Sequence, residues 1–209
     1  MEIIETLING LSSGGTYAMI ALGYTMVYGI AKMLNFAHGD IIMVGGYMIF
    51  VTMAVTGSPI IGIIAAILFC VLLGITIEKV AYKPLRGASP LAVLITAIGV
   101  SYLLQSTAQM IFGSAPKMVI IADLGNITVG SLKIPVYTVI TLICSFAVMI
   151  ALNLFVKYTK VGRAMIAVSE DRGAAQLMGI NVNGIIMITF AIGSALAALA
   201  GFFMLMKSP

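Results

Sequence analysis

Every charged residue of this 209-residue chain falls outside six apolar stretches, and that exclusion constrains the fold more than any other feature. The stretches run 8–30, 41–57, 59–77, 91–112, 135–156 and 184–206. A helix crossing the hydrocarbon layer of a bilayer needs about 20 apolar residues, because its backbone polar groups must be satisfied internally over the whole crossing. Four stretches meet that length. The second and third are near the lower limit and share Gly57-Ser58-Pro59, so they read as a helical hairpin or a partly re-entrant element. Hydrophobic residues make up 61% of the chain and charged residues 9%, where soluble domains carry about 25% charge. The expected fold is therefore all-α and integral to the membrane: a polytopic bundle of about six transmembrane helices, in a single domain over 1–209.

Basic residues orient such a bundle, since Lys and Arg concentrate in cytoplasmic loops. With simple alternation, Lys32, Lys79, Lys83, Arg86, Lys157, Lys160, Arg163 and Arg172 share one side, leaving Lys117, Lys133 and Lys207 opposite. This puts the N-terminus outside. The acidic start, with Glu2 and Glu5, does not look like the basic start of a cleaved signal peptide, so the first stretch is expected to stay in the membrane. The external stretch 113–134 is rich in β-branched residues with Gly113, Gly125 and Gly130 as breaks, a pattern for a short hairpin or lid. The inner loops 78–90 and 157–183 are basic, and the second is long enough to hold structure of its own.

Within the six stretches no ionisable side chain occurs, whereas gradient-driven carriers and intramembrane hydrolases commonly place costly charges there. Energy is therefore expected to come from a partner acting on the cytoplasmic loops. His38, in Asn35-Phe36-Ala37-His38-Gly39-Asp40, reads as a loop or cap residue. Asp40 is placed to N-cap the following helix. Gly14, Ala18, Ala21, Thr25 and Gly29 on the first stretch, and Gly193, Ala197 and Gly201 on the last, recur at helical spacing as close-packing seams. Tyr17, Tyr24 and Tyr28 lie beside the first seam; with Asn35 and His38 they are the candidates for a polar translocation path, against the plainer reading of interface anchoring or packing. Cys70 and Cys144 lie in apolar runs and read as packing residues.

The inner loop 157–183 contains a segment with a start, a face and a stop. Asp171 suits an N-cap, Ala174, Leu177 and Met178 share a face, and Gly179 suits the left-handed position that ends a helix. A helix this short, over 171–179, is marginal alone in water and must dock its apolar face on the rest of the chain or on a cytosolic partner. The pattern alone leaves both open.

Here a resemblance adds to the reading. Ala174-Ala175-Gln176-Leu177-Met178-Gly179-Ile180 resembles the "EAA" loop of ABC importer permeases, whose short helix fits a cleft on the ATPase subunit, although Gly173 stands at the position that gives the motif its Glu. The runs 9–18, 21–30 and 35–40 resemble the N-terminal signature of the branched-chain amino-acid permease family of LivH type. Glu78-Lys79-Val80-Ala81-Tyr82-Lys83-Pro84-Leu85-Arg86, Gly162-Arg163-Ala164 and the run 190–201 extend the likeness from Leu7 to Gly201. It implies a prokaryotic, multi-pass permease subunit of the inner cell membrane, with a second related permease, two cytoplasmic ATPases and an extracytoplasmic solute-binding protein as partners, and no nucleic acid.

The resemblance also implies leucine, isoleucine or valine as cargo. ATP would be bound by the partners, and this chain would need no cofactor of its own. Arg163, Asp171, Ala174, Ala175, Leu177, Met178 and Gly179 would form the ATPase-coupling loop. Family members continue through further helices, so the chain reads as truncated at its C-terminus. The other readings are a permease for urea or short amides, or a gradient-driven secondary transporter; one His and two dispersed Cys are a poor start for a membrane-embedded enzyme.

Overall fold

The computed structural model describes residues 2–118, 125–129 and 132–207. Gly130, one of the expected loop breaks, lies outside them. The long helices are α1 (Glu2–Ala31), α2 (His38–Thr56), α3 (Pro59–Ile77), α4 (Pro90–Phe112), α5 (Val136–Tyr158) and α8 (Val182–Lys207). Between α5 and α8 stand the short helices α6 (Lys160–Glu170) and α7 (Arg172–Leu177), and α3 runs on through a π-helical turn at Glu78–Tyr82 and a 3-10 turn at Lys83–Leu85. Strands β1 (Asn126–Val129) and β2 (Leu132–Pro135) form the antiparallel hairpin before α5, with Ile127 opposite Ile134.

The chain is thus an all-α polytopic membrane protein, with the expected sixth span not confirmed. Among the described residues, five helices are long and apolar enough to cross a bilayer: α2, α3 with its extension to Leu85, α4, α5 and α8. The exception, α1, has ample length at 30 residues. Ser12, Ser13, Thr16, Thr25 and three tyrosines dilute its apolar character.

The hub of the bundle is α8, which packs against α1, α2 and α3. Small residues permit this, because without a Cβ in the way two backbones can approach within van der Waals contact. A Cβ on Gly193 would meet Val27 Cγ2 at 2.9 Å and the Gly23 carbonyl oxygen of α1 at 3.2 Å. One on Gly201 would meet the Ile42 carbonyl oxygen of α2 at 3.0 Å. Gly74 of α3 lies directly against Ser194. Ala197 is buried between these contacts, so the expected seam of α8 is present.

The expected seam of α1 is not. Gly14 and Gly29 have open space where a Cβ would be, and Ala21 and Thr25 are exposed. The buried face is instead Ser12, Thr16, Met19, Gly23 and Val27. Small residues occur on both faces of α1. The one that packs is chosen by Gly193 of α8, which demands a glycine opposite and finds it at Gly23.

A second correction concerns depth. The second helix begins at His38, three residues before the charge-free stretch, so His38 and Asp40 lie inside a membrane-spanning helix. His38 packs against Gly23. At about 1.5 Å per residue, Gly23 lies roughly 12 Å inside the Ala31 end of α1. Residues 32–37 therefore climb back into the bundle in non-helical form with one side against protein: Met33, Asn35 and Ala37 are buried while Leu34 and Phe36 are exposed, and Asn35 Oδ1 accepts a hydrogen bond from Tyr82 Oη at 3.0 Å.

Candidate functional site

The loop between α5 and α8 is built from its caps. Thr159 ends α5 and starts α6: its hydroxyl donates to the Phe155 carbonyl oxygen at 2.7 Å and accepts from the Gly162 amide at 2.9 Å. Helix α6 then turns Gly162, Met165 and Val168 inward and leaves Arg163 in solvent. Asp171 Oδ1 accepts from the amides of Gly173 and Ala174, at 2.7 and 3.0 Å, closing the N-terminus of α7. At the other end Gly179 takes φ +81°, with its amide bonded to the Gln176 carbonyl and that of Ile180 to the Ala175 carbonyl. This reversed pair is the Schellman arrangement, and it needs the left-handed backbone that glycine adopts without strain.

Helix α7 therefore covers Arg172–Leu177, inside the expected 171–179, with Asp171 as its N-cap and Gly179 directly after its C-cap, Met178. Its sides are unlike. Ala175 is 4% exposed and seals against the rest of the chain, whereas Leu177 is 90% and Met178 82% exposed. Ala174 is exposed too. Two large apolar side chains thus stand exposed at the tip of a firmly capped helix, and none of the described residues covers them.

Polar cross-links tie this loop to the bundle. An Arg172 guanidinium nitrogen donates to the Ala31 carbonyl oxygen, an otherwise unpaired group at the end of α1. Burial, and then the nearby charge of Arg86, lower the pKa of Arg172 from its ordinary value. Arg86 donates to Asn183 Oδ1 on α8 and forms an ion pair with Glu78, whose side chain is 2% exposed. Arg86 and Glu78 belong to the quoted 78–86 run, but nothing in their spacing announced the pairing, which depends on the irregular turns that fold residue 86 back onto residue 78.

Of the candidate path residues, the structure gathers two. Tyr24 and His38 meet edge to face, ring centroids 6.1 Å apart, and His38 Nε2 is buried with no hydrogen-bond partner among the described residues. Asn35 is held separately by Tyr82. Tyr17 and Tyr28 face outward. Asp40 does not cap α2. Ala37 occupies the N-cap, and the Asp40 carboxylate, one turn inside, accepts from Gln105 Nε2 of α4 at 2.9 Å. Nothing in the sequence sets Gln105 apart, because it is one of two Gln in a charge-free stretch and looks unremarkable until a carboxylate stands opposite.

Among known proteins, residues 6–208 match the model of the family described as "Branched-chain amino acid transport system / permease component". The chain is 40% identical over 211 residues to the high-affinity branched-chain amino acid transport system permease protein BraD of Pseudomonas aeruginosa, covering 94% of this chain and 69% of that protein. It is 39% identical over 215 residues to the corresponding permease protein LivH of Escherichia coli, covering 96% and 70% respectively. A probable branched-chain amino acid transport permease protein of Methanocaldococcus jannaschii is 28% identical over 196 residues, covering 88% of this chain and 60% of its own length. No solved structure matches the chain.

Proposed function

The chain belongs to the family of permease components of branched-chain amino acid transport systems, and on that premise we propose that it forms part of the membrane path of an ATP-driven importer for leucine, isoleucine and valine. Its place is the inner cell membrane of a prokaryote, beside a second related permease, with two ATPases on the cytoplasmic face and a solute-binding protein outside. ATP binds the ATPases, and this chain moves its solute without covalent chemistry.

The observation that supports coupling is the bare tip of α7. Leu177 and Met178 are the size and character of a plug for an apolar cleft, and the caps at Asp171 and Gly179 keep them presented. Displacement of α7 by the ATPase would pull on α1 through Arg172, and on α3 through Asn183, Arg86 and Glu78. In this reading the outward face of α1, with Ala21 and Tyr17, meets the second permease. The solute passes near Tyr24, His38, Asp40 and Gln105, where polar groups reach bundle depth.

The orientation has its own test. In a background free of Cys70 and Cys144, Arg163→Cys is expected to react with an impermeant thiol reagent only when cells are opened, and Lys117→Cys to react from outside. Labelling of position 163 in intact cells would reverse the bundle.

The function is tested by reconstituting the chain with its ATPases, second permease and binding protein in vesicles and measuring uptake of labelled leucine. Uptake is expected to require ATP and to survive collapse of the proton gradient. Uptake that ignores ATP and stops with the gradient would favour a secondary carrier, to which His38 and Asp40 inside α2 lend the one supporting observation. ATP-driven uptake of urea or a short amide in place of leucine would keep the mechanism and change the cargo.

A further inference from the structure

Between the end of α1, the turns after α3 and the start of α4 lies a cavity of about 570 Å³ whose lining includes three cations: Lys32, Arg86 and Arg172. Among the described residues the one ion pair is Arg86 with Glu78, and no carboxylate lines the cavity itself. The remaining walls are mainly apolar, with Tyr28, Leu91 and Leu94 among them. Tyr28 and Leu91 are exposed on the flanks of the long helices α1 and α4. Helix α4 touches the bundle mainly through α2 and the π-helical turn, which leaves a gap between it and α1 open to the side.

Its level in the membrane follows from the same elements. Lys32 directly follows α1, Arg86 directly follows the apolar run Pro59–Leu85, and Pro90 begins α4. The cations therefore lie where hydrocarbon gives way to water, with the apolar wall on the bilayer side.

The backbone adds an independent mark. Lys32 is the one non-glycine with positive φ among the described residues, at φ +51°, just past the last turn of α1. Glycine or asparagine fits that conformation with less strain, and a strained residue is informative when its side chain has a task nearby. Here the side chain is one of the three cations.

We propose that this cavity is a binding site for an anionic phospholipid, its phosphate held by Lys32, Arg86 and Arg172 and an acyl chain lying along Tyr28, Leu91 and Leu94. Two guanidinium groups and an ammonium provide the forked and point-charge donors that phosphate oxygens accept. A basic pocket between spanning helices at the membrane border is a recurrent place for acidic headgroups. The phosphate would also neutralise the repulsion between Arg86 and Arg172, steadying the two side chains that link α7 to the bundle.

The test uses the full chain, stripped of lipid in detergent, with native mass spectrometry and thermal unfolding as readouts and without partner subunits, so that it stands apart from the transport assay. Dioleoylphosphatidylglycerol is expected to bind one to one and raise the unfolding temperature, while dioleoylphosphatidylcholine and inorganic phosphate do neither. Lys32→Asn suits the left-handed backbone and should leave the fold intact while weakening the lipid about fivefold. Lys32→Arg should retain it. Arg172→Gln is expected to weaken binding by a similar factor. Equal binding of phosphatidylcholine, a full effect from inorganic phosphate alone, or unchanged affinity in Lys32→Asn would each overturn the assignment.

Discussion

Leu177→Asp and Met178→Asp are expected to release the ATPase subunits while leaving the permease folded in the membrane. The two halves of this result have different causes. Leu177 is 90% and Met178 82% exposed in the isolated chain, so an Asp at either position keeps its water and disturbs no packing. Once the tip enters an apolar cleft, the same carboxylate loses that water with no partner to replace it. The penalty is about 3 kcal/mol or more, which corresponds to a loss of affinity of roughly 100-fold. Copurification of the ATPases and solute-stimulated hydrolysis should both fall, with membrane yield unchanged.

Gly179→Val should behave differently. At φ +81° a β-branched residue strains the backbone by about 1–2 kcal/mol and unwinds the end of α7 without adding charge. Coupling should then weaken more than assembly. If both Asp variants retain bound and stimulated ATPases, the α7 tip is a connector and the coupling role is wrong.

Gly162→Val is expected to have the opposite signature, loss of the permease itself. A Cβ at Gly162 would run into the Phe155 carbonyl oxygen and the Cα and carbonyl oxygen of Val156, all backbone atoms of the last turns of α5. No rotamer change can move them, so α6 would have to lift away, taking buried Met165 and Val168 with it. Overpacking of this kind costs about 1–3 kcal/mol, and a rigid backbone obstacle puts this site at the upper end.

The measurement is unfolding temperature and membrane yield of the isolated chain. Gly14→Ala and Gly29→Ala, where a Cβ meets open space, serve as controls expected to stay near wild type. Gly162→Val with wild-type stability would mean that α5 and α6 are not held as close as described.

The properties legible in the sequence are those carried by a residue's near neighbours. Exclusion of charge over about 20 residues marks a span because the bilayer core cannot solvate a charge wherever that span sits in the bundle. Asp171 and Gly179 mark the ends of α7 because a cap is satisfied within a few residues of itself.

What only the tertiary structure decided are the choices between equivalent local patterns. Small residues line both faces of α1, and Gly193 of α8 selects the face with Gly23. Asp40 would have made a good N-cap, but the climb of residues 32–37 starts α2 earlier and turns the carboxylate to Gln105, far away in sequence. Which side of α7 the chain itself covers is likewise a question of distant surfaces. Among the described residues Ala175 is the side that the chain covers, while Leu177 and Met178 stay exposed.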